Sequence, residues 1–194
     1  MQTTALHPDY EISTVRDALR QAECAALVQR AERIGFTDAP ITTPIGFVMM
    51  PEVRNNTRVM VDEPKLAADL WERLAPVVPS RLGAWSAVGL NERLRFYRYE
   101  PGQRFAWHYD GAFVRALEER SRLLEERSQL TLMLYLNGDF EGGATEFDVD
   151  PALSVRPERG MALLFAHRVR HQGAAVTRGV KYVLRTDVMF RRAE

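Results

Sequence analysis

The most constraining feature of this chain is the run Leu130-Thr131-Leu132-Met133-Leu134-Tyr135-Leu136. Its strict alternation is the period of a β-strand, with successive side chains on opposite faces. Leu130, Leu132, Leu134 and Leu136 point one way; Thr131, Met133 and Tyr135 point the other. The two faces need different surroundings. The leucines require apolar packing on the outside, and the Thr/Met/Tyr set requires a mixed pocket.

The same texture extends from residue 90 onwards. Leu94–Tyr99 is aromatic and alternating, Glu100-Pro101-Gly102-Gln103 is a turn, and Arg104–Asp110 returns as a second strand. On that strand Phe105, Trp107 and Tyr109 are expected to face away from His108 and Asp110 and to pack there. Further short strands are expected at 141–147 after a glycine bend, at 154–157, at 161–166, at 171–176 and at 180–190. The first ninety residues read differently. Helical spacing predicts one helix from Ser13 or Thr14 to Ile34, stopped by Gly35, and another from Pro64 to Leu74. Residues 1–12 read as a tail or an edge strand. Residues 36–62, broken by Pro40, Pro44 and Pro51, read as irregular. Within them, Arg54, Asn55, Asn56 and Arg58 form either a solvated loop or a substrate contact. The charge-laced stretch 112–128 reads as a solvated helix, with a lid as the alternative. The expected class is α+β, mainly β: a double-stranded β-helix (jelly roll) buttressed by N-terminal helices. One domain is expected over 1–194, with a helical support region at 1–90 and a catalytic core at 91–194.

Composition excludes several classes of function. Lys plus Arg and Asp plus Glu are 26 each, so no strongly electrostatic partner such as nucleic acid or an anionic membrane is expected. Cys24 is the only cysteine, which rules out an intrachain disulfide and a thiolate metal cluster. No apolar run is long enough to span a bilayer. Residues 1–7 lack the signature of a signal peptide, so a cytoplasmic protein is expected.

His108 and Asp110 are two apart, so an extended backbone presents both on one face. A bare His-x-Asp is a weak signal; its strength lies in context. The pair ends a strand in the β block, and His171 begins another strand in the same block. Two imidazoles and one carboxylate are the donor set that holds Fe(II) on one face, leaving positions open for oxygen and a cosubstrate. His167 and His171 have the spacing of a helical zinc pair, but 162–165 reads as a strand.

With these motifs in place, the chain resembles the prolyl 4-hydroxylase-like branch of the 2-oxoglutarate/Fe(II)-dependent dioxygenases. The resemblance lies in residues 99–110, in 130–137 with Gly142-Gly143-Ala144-Thr145, in 160–165, and in His171-Gln172-Gly173 through Gly179-Val180-Lys181-Tyr182. It implies that His108, Asp110 and His171 ligate iron and that Lys181 pairs with the distal carboxylate of 2-oxoglutarate. Tyr99 and Tyr135 match positions that bond to the cosubstrate or line its pocket. Arg185, four residues beyond Lys181 and on its face, is the rival anchor or a substrate contact. The implied reaction is hydroxylation of an unactivated C–H bond by O2 with release of succinate and CO2, and with ascorbate as a candidate reductant. The implied substrate is a prolyl or other amino-acid side chain, peptidyl or free. Two alternatives stay open: a nucleic-acid demethylase of the same superfamily, and a non-catalytic jelly-roll module that binds metal as a sensor.

Overall fold

The computed structural model describes residues 1–43, 46–119 and 122–192. In chain order the strands before the first helix are β1 (Gln2–His7) and β2 (Ile12–Arg16), and the helix is α1 (Gln21–Ile34). Then come β3 (Thr37–Asp38), β4 (Ile41–Thr43), β5 (Gly46–Val48), β6 (Thr57–Asp62) and α2 (Pro64–Leu74). They are followed by β7 (Arg81–Leu82), β8 (Trp85–Leu90), β9 (Arg93–Tyr99), β10 (Phe105–His108), β11 (Val114–Glu119) and β12 (Arg122–Tyr135). The chain finishes with β13 (Glu141–Gly142), β14 (Thr145–Phe147), β15 (Leu153–Val155), β16 (Ala162–Ala166), β17 (His171–Gly173), β18 (Val176–Arg178) and β19 (Lys181–Arg192).

Among the described residues, a major antiparallel sheet runs β1-β2-β16-β12-β19-β9-β6-β3, with β8 also pairing β19 and β11 pairing β12. A minor sheet runs β10-β17-β14-β15. The fold is mainly β, with a jelly-roll core and helices against one face. The alternation of β12 is realised as its sequence predicts. Leu130, Leu132, Leu134 and Leu136 share one apolar cluster with Cys24, Leu27 and Ala31 of α1 and Ala67, Leu70 and Leu74 of α2. Tyr135, from the other face, joins a second cluster with Tyr97, Tyr99, Phe165 and Val183 of the major sheet and Phe147 and Val155 of the minor sheet. The helices therefore cover the outer face, and the minor sheet covers the inner one.

Four local expectations are corrected. The first helix begins at Gln21, not at Ser13 or Thr14, because Ile12–Arg16 is claimed by pairing with both β1 and β16. Its end at Gly35 holds, and the glycine takes a positive φ of 93°. The stretch 36–62 is not irregular throughout. Thr57–Asp62 pairs along its own full length with residues 93–98 of β9, and its neighbours form short strands; Pro44 lies outside the described residues. Among their described residues, the first ninety accordingly carry eight strands as well as two α-helices. The stretch 112–128 is not a helix: β11 and β12 form a hairpin that extends the major sheet. Its charges work as a cross-strand ladder. Glu126 of β12, 2% exposed, lies between Arg115 of β11 at 2.8 Å and Arg191 of β19 at 2.8 Å. Strand pairing and this ladder override helix propensity. Residues 120 and 121 of that stretch lie outside the described residues.

Candidate active site

His108 and His171 are direct cross-strand partners in the antiparallel pair β10–β17. The register therefore puts two side chains from distant parts of the chain next to each other. Their rings lie 4.2 Å apart, centre to centre. Asp110 follows the end of β10 and is held by the opposite sheet. Thr131 Oγ1 of β12 donates to Asp110 Oδ2 at 2.5 Å, and Arg185 Nη2 of β19 lies 3.0 Å from Oδ1. The carboxylate in turn sits 3.8 Å from His108 Nε2 and 3.6 Å from His171 Nε2. One donor atom from each of the three residues falls within 4.8 Å of the others. Among the described residues no other such His/Cys/Asp/Glu cluster occurs.

The protonation pattern suits a metal. Each imidazole donates from Nδ1 to a backbone carbonyl, His108 to Ala106 at 2.8 Å and His171 to Val169 at 3.1 Å. A carbonyl can only accept, so in each neutral ring the lone pair is on Nε2 and faces the shared centre. Burial, followed by the neighbouring His171, pushes the His108 pKa down to about 3, and burial lowers that of His171 too. Burial opposes charge on Asp110, but Arg185 and the two imidazoles more than offset it, leaving the carboxyl below its usual range. Two lone pairs and an ionised carboxylate thus converge with no proton between them. This arrangement fits Fe(II) and calls for a cation at its centre.

Lys181 heads β19 directly opposite Tyr99 of β9. It is 2% exposed, and its Nζ donates to Gly143 O at 2.6 Å. No carboxylate pairs with it among the described residues. Burial drives its pKa down to about 7. The ammonium lies 5.2 Å from the Tyr99 ring and 5.5 Å from the Tyr135 ring. Gly143 is required there: its φ is +64°, and a Cβ would come within 3.1 Å of the lysine stem. A buried, unpaired cation fits an incoming carboxylate. The cavity beside it is lined by Tyr99, Phe105, Met133, Thr145, Lys181 and Arg185 together with the triad. Tyr135 is fully buried, its hydroxyl 2.7 Å from Thr145 Oγ1. Arg185 shares the inner face with Lys181, as their spacing predicts, but its guanidinium is already engaged by Asp110 at 3.0 Å and Asp187 at 3.1 Å.

The expected facing of β10 is corrected. A bulge between Phe105 and His108 breaks the alternation, and Phe105 turns inward to stack on the His108 ring at 3.6 Å. Trp107 and Tyr109 are exposed, at 37% and 63%, and do not pack as a buried face. The sequence reading did not single out Phe105, Thr131 or Asp187 for the site. Thr131 was legible in part, since the β12 alternation points it inward; the bulge that redirects Phe105 leaves no sequence signal. His167 stands outside the triad, 3.7 Å from Asp187.

The sequence model of the 2OG-Fe(II) oxygenase superfamily matches residues 94–186. No curated protein sequence matches the chain. Solved structures resemble it in fold at low identity. A viral collagen prolyl hydroxylase from Paramecium bursaria Chlorella virus-1, in a 2OG complex, is 18% identical with a TM-score of 0.62, covering 92% of this chain and 95% of its own. A Pseudomonas putida prolyl-4-hydroxylase is 18% identical with a TM-score of 0.65, at 94% of both chains. A Trichoplax adhaerens prolyl hydroxylase, in complex with a hypoxia inducible factor oxygen degradation domain peptide, is 16% identical with a TM-score of 0.67, at 91% and 82%. The matched segment contains the triad and Lys181; over that segment the chain is similar to the 2OG-Fe(II) oxygenases, and its fold is prolyl 4-hydroxylase-like.

Proposed function

We propose that this protein is a 2-oxoglutarate- and Fe(II)-dependent hydroxylase acting on a prolyl or other amino-acid side chain, peptidyl or free. His108, Asp110 and His171 hold the metal, and Lys181 anchors the distal carboxylate of 2-oxoglutarate, with Tyr99 and Tyr135 shaping its pocket. When bound, Fe(II) and 2-oxoglutarate supply oxidation of an unactivated C–H bond by O2 with release of succinate and CO2; ascorbate serves as reductant. The chain's own residues do the positioning. The carbonyls of Ala106 and Val169 fix the tautomers of the two imidazoles. Thr131 and Arg185 fix the rotamer of Asp110 and keep it ionised. The inner cluster around Tyr97, Phe165 and Val183 excludes water from this end of the barrel.

The observation that carries the reading is the pairing of two sites in one cavity: an acceptor-only triad that calls for a cation, and a buried lysine that calls for an anion. Arg185 is the weaker candidate for cosubstrate anchor because it is bonded to Asp110 and Asp187. We assign it to holding the metal ligand. We further propose that residues 1–194 act as one domain and that the enzyme is cytoplasmic, with neither nucleic acid nor membrane as a partner. Among the described residues no helix is long and apolar enough to cross a membrane. The test is succinate release from 2-oxoglutarate with added Fe(II). Turnover that depends on both, and that free or peptidyl prolyl substrates stimulate, supports the reading. Absence of Fe(II)-dependent turnover across these substrates sinks it in favour of a binding module.

A further inference from the structure

A second groove opens on the outer side of the triad. It is lined by Arg54, Arg58, Arg95 and Arg185, together with Tyr109 and Phe113, and it reaches His108 and Asp110. Four guanidinium groups around one groove demand counter-charge. Two of them have it: Arg95 pairs with Asp187 at 3.2 Å, and Arg185 with Asp110 and Asp187. Arg54 and Arg58 have no carboxylate partner among the described residues. Arg54 is only 5% exposed, and its Nη2 makes no hydrogen bond. Its Nε is fixed by Asn56 Oδ1 at 2.8 Å, and its guanidinium is sandwiched 4.5 Å from both the Tyr97 and Phe105 rings. A buried, pre-oriented guanidinium with a free edge is a built receptor for a planar anion. Arg58, half-buried, lies over the exposed Phe47 ring at 5.6 Å.

The position of this receptor limits what it can take. Phe105 has Arg54 on it and also stacks on the His108 ring at 3.6 Å. Guanidinium, phenyl ring and metal-ligating imidazole therefore form one short stack. An anion held by Arg54 is a single aromatic layer from the triad, a spacing at which the charged group and the reacting carbon fit within one amino or imino acid.

We infer that Arg54 and Arg58 bind a carboxylate of the primary substrate, and that this substrate is a free amino or imino acid rather than an internal stretch of neutral polypeptide. This deepens the hydroxylase reading above and rests on it. Arg54 clamps the carboxylate and Arg58 closes the mouth, while Lys181, which lines the neighbouring cavity and not this groove, serves the other acid, 2-oxoglutarate.

The test is calorimetric binding of free proteinogenic amino and imino acids to the full chain loaded with Mn(II) and 2-oxoglutarate. Each acid is compared with its carboxamide and with a doubly capped peptide of the same residue. At least one free acid is expected to bind, with its carboxamide about 10- to 100-fold weaker, the range for losing a charged hydrogen bond. Arg54→Gln and Arg58→Gln should each weaken the same acid; Arg58→Gln, at the half-buried position, keeps the test usable if Arg54→Gln fails to fold. Equal binding of acid, amide and capped peptide overturns the inference, as does the absence of any acid binding beyond that of the double variant. An equal loss of affinity for 2-oxoglutarate in these variants also overturns it, because the arginines would then serve the cosubstrate. Succinate release is followed in parallel with Fe(II): acid binding without turnover defeats the hydroxylase reading but leaves the carboxylate site standing.

Discussion

The two faces of β12 do opposite jobs from one short run of sequence. The outer face puts Leu130, Leu132 and Leu134, all 0% exposed, against two helices. The inner face puts Thr131 on Asp110, Met133 in the cavity wall and Tyr135 beside Lys181. The outer side gains stability by removing apolar area from water. The inner side holds buried charge: Asp110, Arg185 and Asp187 offset one another, and Lys181 has no counter-ion among the described residues. Stability and function are thus separated by a side-chain period of two residues, and a substitution should report which side it strikes.

The largest expected effect is on the outer face. Leu132→Ala should cost about 2–5 kcal/mol of folding free energy through cavity formation. Denaturant unfolding checks it, and metal affinity of the protein that remains folded should be unchanged. His108→Ala should do the reverse: metal binding and turnover lost, with the unfolding midpoint close to wild type. A variant that lost both equally would erase the separation.

Lys181 gives the next effect and a pH signature. Lys181→Ala should raise the 2-oxoglutarate requirement by about 10- to 100-fold, read as KM against kcat. Its pKa is lowered from 10.5 to about 7. Between those values the unfolded chain holds a proton that the folded chain has released. Stability without cosubstrate therefore rises with pH across that window, and Lys181→Met should abolish the rise. Docking a carboxylate on Nζ favours the charged amine, so 2-oxoglutarate binding at pH 8 should take up a proton. Calorimetry in buffers of different ionisation enthalpy measures it, and no uptake would mean the anchor lies elsewhere. If Lys181→Ala behaves like wild type and Arg185→Ala fails to bind 2-oxoglutarate, the assignment of the two cations is reversed.

Thr131→Val should give the smallest effect. It keeps the shape and removes one hydrogen bond to Asp110, so metal affinity should fall by roughly 2- to 10-fold, in line with a net loss of about 0.5–1.5 kcal/mol.

What could be read from the sequence divides along similar lines. The alternation of β12, the helix Pro64–Leu74 and the shared face of Lys181 and Arg185 follow from local periodicity, and the structure keeps all three. The cluster of His108, Asp110 and His171 was legible because the first two are local and His171 opens another strand of the same β block. What escaped depends on contacts far apart in the chain. Glu126 looks like a helix surface charge until Arg115 and Arg191 arrive from two other strands. Thr57–Asp62 looks like loop until β9 claims it. Phe105 turns inward only because a bulge breaks the period on which the sequence reading relied. Arg54 was noticed as one residue of a polar loop, but its burial against Tyr97 and Phe105 is a tertiary fact.

The most direct test of the account is an anaerobic Fe(II) titration of the wild-type chain and of His108→Ala, Asp110→Ala and His171→Ala. We expect one tightly bound ion per wild-type chain and loss of that binding in each variant, His171→Ala included. Retention of wild-type Fe(II) affinity in His171→Ala would contradict it, since the late imidazole and the early pair would then not share a centre.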